Sequence, residues 1–129
     1  MSAAKFTLVG SREMRARMED VAKDARRAIK KAVHKFAQTE MREMKRLVPV
    51  DTGTLKNSGY VDKPQENGSH ITQELGFGGA AEEYAIVVHE DLEAWHENGQ
   101  AKYVEQPLSE SAPYFAARVG ADVKKDLGL

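Results

Sequence analysis

A few constellations in this 129-residue chain have residue types that could do chemistry. Asp51-Thr52-Gly53, preceded by Val50, is the tripeptide of two-subunit acid proteases, in which one Asp from each subunit shares a proton. His89 and His96, with Glu90, Asp91 and Glu93 around them, gather imidazole and carboxylate donors of the kind a divalent cation takes. Gly76-x-Gly78-Gly79 is glycine-rich enough to let a backbone approach a phosphate. Tyr84, Trp95 and Tyr103 offer rings on which bases could stack.

Context weakens each of them. Acid proteases are almost all β, whereas Asp51 follows a long helical pattern, and the apolar-apolar-Gly element of their flap side has no counterpart here. The two histidines lack His-Glu-x-x-His spacing, and no third imidazole lies near in sequence. No Lys-Ser/Thr follows Gly79 and the dinucleotide spacing does not complete, which leaves a hinge or bulge. The three aromatics sit in an acidic half that would repel a nucleic-acid backbone, so they read as anchors of a loop or a subunit contact. His34 and His70 stand alone, as surface or satisfied histidines do, and no Ser-His-Asp order or carboxylate pair stands out. The expectation is a protein that is not an enzyme, with no catalytic, cofactor-binding or metal residues.

The elements that would have to position such groups are easier to read. Apolar residues recur at Met14, Met18, Val21, Ala25, Ile29, Ala32 or Val33, Phe36, Met41 and Met44, a helical period over residues 11–46 with Ser11 as N-cap. Such a helix is about 50 Å long, too long to bury its stripe against the rest of this chain, so part of the stripe should meet another subunit. Pro49 ends it, and Pro49, Asp51, Thr52 and Gly53 form a rigid elbow, with Gly53 free to take φ > 0. A sheet region spans 54–90, with Asn57–Lys63 and His70–Phe77 as a hairpin around the turn Pro64–Ser69, and Tyr84–Val88 as a buried strand in preference to a short helix. A short strand is expected at Lys5–Val9 and loop at Asp91–Ala101. A C-terminal helix spans 107–126, with Pro107 in its first turn and Pro113 kinking or dividing it.

Composition sets limits. The length suits a single domain over 1–129 with a real core. Absence of cysteine removes disulfides and thiolate metal sites. No apolar run approaches a membrane span or a signal peptide, so a soluble protein made in a cytoplasm is expected. The net charge of −1 hides a division. Residues 1–46 hold 13 Lys/Arg against 6 Asp/Glu, and residues 47–129 hold 6 against 14. Such halves can pair within a chain or between subunits, or turn the basic face to a polyanion. Arg26, Arg27, Lys30 and Lys31, four cations in six residues with no acid among them, are candidate interface residues together with Trp95 and Tyr103.

Leu47-Val48-Pro49-Val50-Asp51-Thr52-Gly53-Thr54-Leu55-Lys56-Asn57-Ser58 resembles the Pro-Val-Asp-Thr-Gly-x-Leu-Arg/Lys-x-Ser signature of the tail-component (tail-completion or neck) family of long-tailed bacteriophages. Tyr84-Ala85-Ile86-Val87-Val88-His89-Glu90 is similar to the family's strand opening with Tyr-Ala. Gln100 to Leu108, followed by Ala116-Ala117-Arg118-Val119, resembles the run into its last helix. One departure stands out: His89-Glu90-Asp91-Leu92 replaces the Glu-x-Gly-Thr-type turn of many relatives, so the loop after it could meet a different neighbour. The resemblance covers nearly the whole chain. It implies a structural virion protein with no catalytic residues and no cofactor, found in the neck region of the particle and in host cytoplasm during assembly. It implies a homo-oligomeric ring of six or twelve copies between capsid portal and tail. Head-completion and tail-tube or tail-terminator proteins would be its neighbours, DNA could pass through its channel, and no membrane is involved. The fold expected from residues and resemblance together is α+β: a long N-terminal amphipathic helix on a small, mostly antiparallel sheet, closed by a C-terminal helix. The alternative is a nucleic-acid-binding protein using the basic helix.

Overall fold

The computed structural model describes residues 4, 7, 9–49, 53–78, 90 and 102–129. Its largest element is α1 (Ser11–Leu47), 37 residues long. No Gly or Pro interrupts residues 11–47, and most are good helix formers, so nothing local breaks the helix. It starts without the Ser11 cap expected from sequence. Gly10 is the N-cap, at φ 88°, and Ser11 is already helical. Glycine enters the left-handed region without a Cβ penalty, and its carbonyl accepts the Met14 N–H at 3.0 Å. At the other end Val48 leaves the helix at φ −64° and ψ 137°, as the residue before a proline does, while its own N–H still bonds the Met44 carbonyl at 2.8 Å.

Beyond the elbow the chain makes one helical turn, α2 (Thr54–Asn57), before it extends into β1 (Gly59–Val61). A strand from Asn57 was expected; it is delayed because Gly53, at φ 81°, turns the chain and its carbonyl accepts the Asn57 N–H at 2.9 Å. Ser58 seals the turn, its hydroxyl donating to the Leu55 carbonyl at 2.7 Å.

The expected hairpin is present, but as two ladders. β1 pairs with β4 (Leu75–Phe77), and between them β2 (Gln65–Asn67) pairs with β3 (His70–Thr72), all antiparallel. Part of the segment expected to be turn is therefore strand, and the true turn is Gly68-Ser69, with Gly68 at φ 61°. The register advances by one residue between the ladders, so Lys63 and Pro64 together face Gln73, the arrangement of a β-bulge. Pro64 has no N–H to give. Gln73 braces the bulge, its side-chain amide donating to the carbonyls of Asp62 at 2.6 Å and Glu74 at 3.0 Å.

The C-terminal segment begins at α3 (Glu105–Ser111), passes through a single 3₁₀ turn at Ala112–Tyr114 and continues as α4 (Phe115–Asp126). Pro113 divides it, because a proline cannot supply the interior helical hydrogen bond. α4 lies against the middle of α1, where Phe36 and Phe115 meet edge to face at 4.9 Å. Ala28, Ala32 and Ala37 of α1 are buried. A second cluster closes the elbow: Val48, Leu55 and Tyr103 are buried, with Leu47, Phe77 and Val104 packed on them. The architecture is α+β, as expected. The expected strand Tyr84–Val88 lies outside the described residues, as do most of Lys5–Val9 and all of Asp91–Ala101.

Candidate functional site

α1 divides into two lengths. From Ala28 onward it has buried positions nearly every turn, ending with Glu40, Met41 and Met44. From Ser11 to Asp24 every residue is exposed. This arm, roughly 21 Å at 1.5 Å per residue, keeps its apolar stripe: Met14, Met18 and Val21 are 54%, 65% and 66% exposed. The ion pairs from α4 to α1 end at Lys31, met by Asp126, and α4 borders α1 as far up as Ala28, below the exposed residues 11–24, so the arm stands clear of it.

The four clustered cations sit just below the arm, and the helical period splits them into two pairs four residues apart. Arg26 and Lys30 both reach Glu66 on β2, at 2.9 and 3.6 Å. Lys31 reaches Asp126 of α4 at 3.3 Å, and one turn on Lys35 reaches Asp122 at 3.5 Å. Arg27 pairs with Asp24 along its own helix at 3.3 Å. The basic half thus meets acid of the same chain. These cations remain one-third to three-quarters exposed in their side chains, so each pair contributes under about 1 kcal/mol.

Tyr103, a candidate interface residue by sequence, is only 1% exposed. It anchors the approach to α3 onto the elbow, its ring edge to face with Phe77 at 5.2 Å. Beside it Lys102, at φ 58°, pairs with Glu90 and, at 3.2 Å, with Glu105. Those two carboxylates, Glu90 first, hold its ammonium pKa above the ordinary lysine value. Of the elbow, Pro49 is buried and Gly53 has the positive φ, while Asp51 and Thr52 lie outside the described residues. Trp95, Tyr84, His89 and His96 lie outside them as well.

Three features escaped sequence reading. His34 faces Gln73 at 3.2 Å; both amide hydrogens of Gln73 are committed to carbonyls, so its oxygen accepts from the His34 Nδ1–H. That contact ties the bulge to α1. The second is an open apolar groove of about 470 Å³ bounded by α1, the hairpin and the C-terminal segment, with Val33, Phe36, Ile71, Leu75, Leu108 and Phe115 among its walls. The third is Glu40, which lines this groove at 2% exposure with its Oε2 unpaired among the described residues. A glutamate at a helix position one turn from Phe36 carries the sequence signal of neither a surface nor a core residue.

Among the described residues no group of three or more His, Asp or Glu comes together as a metal site, and no helix is long and apolar enough to cross a membrane. No curated protein and no solved structure matches the chain. The model of the HK97-gp10-like family, described as "Bacteriophage HK97-gp10, putative tail-component", matches residues 12–106. That span takes in α1, the elbow and the hairpin, and stops at the first turn of α3, so α4 lies beyond it. With most of its length matched, the chain belongs to the HK97-gp10-like family of bacteriophage tail components.

Proposed function

We propose that this tail-component protein is a head–tail connector, a neck or tail-completion ring that joins the capsid portal complex to the tail of a phage or phage-like particle. The observation that carries the reading is the arm of α1: a helix exposed on every side over residues 11–24, with an apolar stripe, belongs in an assembly. Family membership supplies the setting. The ring would be built from copies of this chain, with head-completion and tail-tube or tail-terminator proteins above and below it and DNA passing through. In this reading the elbow sets the angle between α1 and the hairpin, and Trp95 serves a contact between proteins.

Removing the protein from an assembling phage is expected to leave filled heads and finished tails that do not join, seen by electron microscopy. Joined, infectious particles in its absence would overturn the connector role. Acid-optimum peptide cleavage by the pure protein, lost in Asp51→Asn, would overturn the non-enzymatic reading. Nucleic-acid binding along the basic helix is the other reading. It predicts a steep linear fall of log affinity with log salt, whereas ring closure proceeds without DNA. The pairing of Arg26, Lys30 and Lys31 with acids of their own chain leaves less free charge for it.

A further inference from the structure

The arm of α1 and the open groove are complementary, and one chain cannot bring its own two together. On the arm, Met14, Met18 and Val21 stand at the i, i+4, i+7 spacing with which a helix enters a groove. Arg17 lies on the same face, three residues after Met14 and four before Val21, and has no partner among the described residues. In the groove, aromatic and aliphatic walls surround Glu40, buried with one carboxyl oxygen unpaired. A buried acceptor without a donor is uncommon in a finished structure. The arm therefore carries apolar side chains and a free cation, and the groove carries an apolar lining and a free acceptor.

Arm and groove also share one uninterrupted helix. Met18 and Phe36 are 18 positions apart on α1, roughly 27 Å along its axis. The arm cannot fold back into its own groove without breaking that helix, so an arm seated in the groove comes from another copy.

We propose that the arm of one copy lies in the groove of the next, with Met14, Met18 and Val21 against its walls and Arg17 donating to the Glu40 carboxyl. The contact joins two different surfaces, so it repeats head to tail and closes into a ring when the rotation allows. It rests on the self-assembling reading above and specifies the contact between copies.

The test uses two variants of the full chain. Met14→Glu/Met18→Glu spoils the arm at exposed positions and leaves the groove intact. Ala112→Trp blocks the groove from an exposed position on its rim and leaves the arm intact. Circular dichroism melting checks that each variant folds, and light scattering gives the mass. The wild type is expected to associate with rising concentration, and each variant alone to associate at least tenfold more weakly. An equimolar mixture should form a complex of two subunits, because one intact arm meets one intact groove. If the folded Ala112→Trp protein associates like wild type, copies pair arm to arm or elsewhere and the proposal is overturned; a wild type that stays monomeric overturns it too. A connector deletion that still separates heads from tails, alongside either result, leaves the connector role standing while the arm-in-groove contact falls.

Discussion

Met18 and Met44 occupy the same helix and the same residue type, yet one is 65% exposed and the other fully buried. Both belong to one apolar stripe of helical period, and nothing in their local sequence separates them. What differs is the material opposite. Met44 faces the region where the hairpin and the elbow close on α1, and Met18 stands on the arm above the end of α4. Periodicity reports which face of a helix is apolar; it does not report how far along that face a partner extends.

The sharpest way to break this comparison is to truncate both methionines. Met44→Ala should destabilise the monomer by about 2–5 kcal/mol, the range for a large buried side chain, whereas Met18→Ala should stay within about 0.5 kcal/mol. Urea unfolding at dilutions where copies do not meet measures both. Equal losses would mean that the arm is packed in the free chain.

Gly59 sharpens the packed side. A Cβ there would sit 2.7 Å from the Lys45 side chain, 2.9 Å from Met41 Sδ and 3.1 Å from the Phe77 ring. Gly59→Val should therefore cost about 1–3 kcal/mol by overpacking, against the roughly 0.5 kcal/mol of lost helix propensity for a substitution of comparable size in the arm, such as Ala16→Val. A thermal melt that moves equally for both would show that β1 does not press on α1. At the elbow, Gly53→Ala places a Cβ at φ 81° and should cost about 1 kcal/mol without any clash, since the nearest atom is 3.7 Å away. An unchanged melting temperature would mean that the turn relaxes.

The charged contacts come last. Glu66→Gln removes the shared partner of Arg26 and Lys30 and should change stability by under about 1 kcal/mol, less still in high salt. A salt-independent loss would point to packing instead of charge. Lys102 has a raised folded pKa, so its pairs stabilise the fold in full below the ordinary lysine value, and that contribution fades as pH rises through the folded one. The difference between wild type and Lys102→Met should be small, constant from neutral pH up to about 10, and lost above it. A difference that vanishes near pH 7 would assign it to another group.

The sequence made the large elements legible because their signals are strong and local. The period of α1, the block at Pro49, the positive φ of Gly53 and the division at Pro113 each follow from one or two residues acting on their own backbone. The alternation Ile71, Gln73, Leu75, Phe77 also marked the inward face correctly, for all four are partly buried. The bulge was not legible, because it rests on a register shift between two ladders and on Gln73 reaching the Asp62 carbonyl across the strands. Nor was the pairing of Arg26, Lys30 and Lys31, whose acids Glu66 and Asp126 lie 36 and more residues away. The groove needed three separated segments to be seen at once.

The distance in sequence between Lys31 and Asp126, 95 residues, also orders events during synthesis. The ribosome makes the arm well before α4, and domains generally fold as units once their parts have emerged. Leu108, Ala112 and Phe115, which form one wall of the groove, are made long after the arm. A growing chain thus carries an arm before it has a groove of its own, and only molecules synthesised past residue 115 can act as receptors. Polysomes translating this protein should accordingly recruit finished copies through their arms no earlier than residue 115 leaves the exit tunnel, a delay that ribosome profiling of co-purifying nascent chains would time.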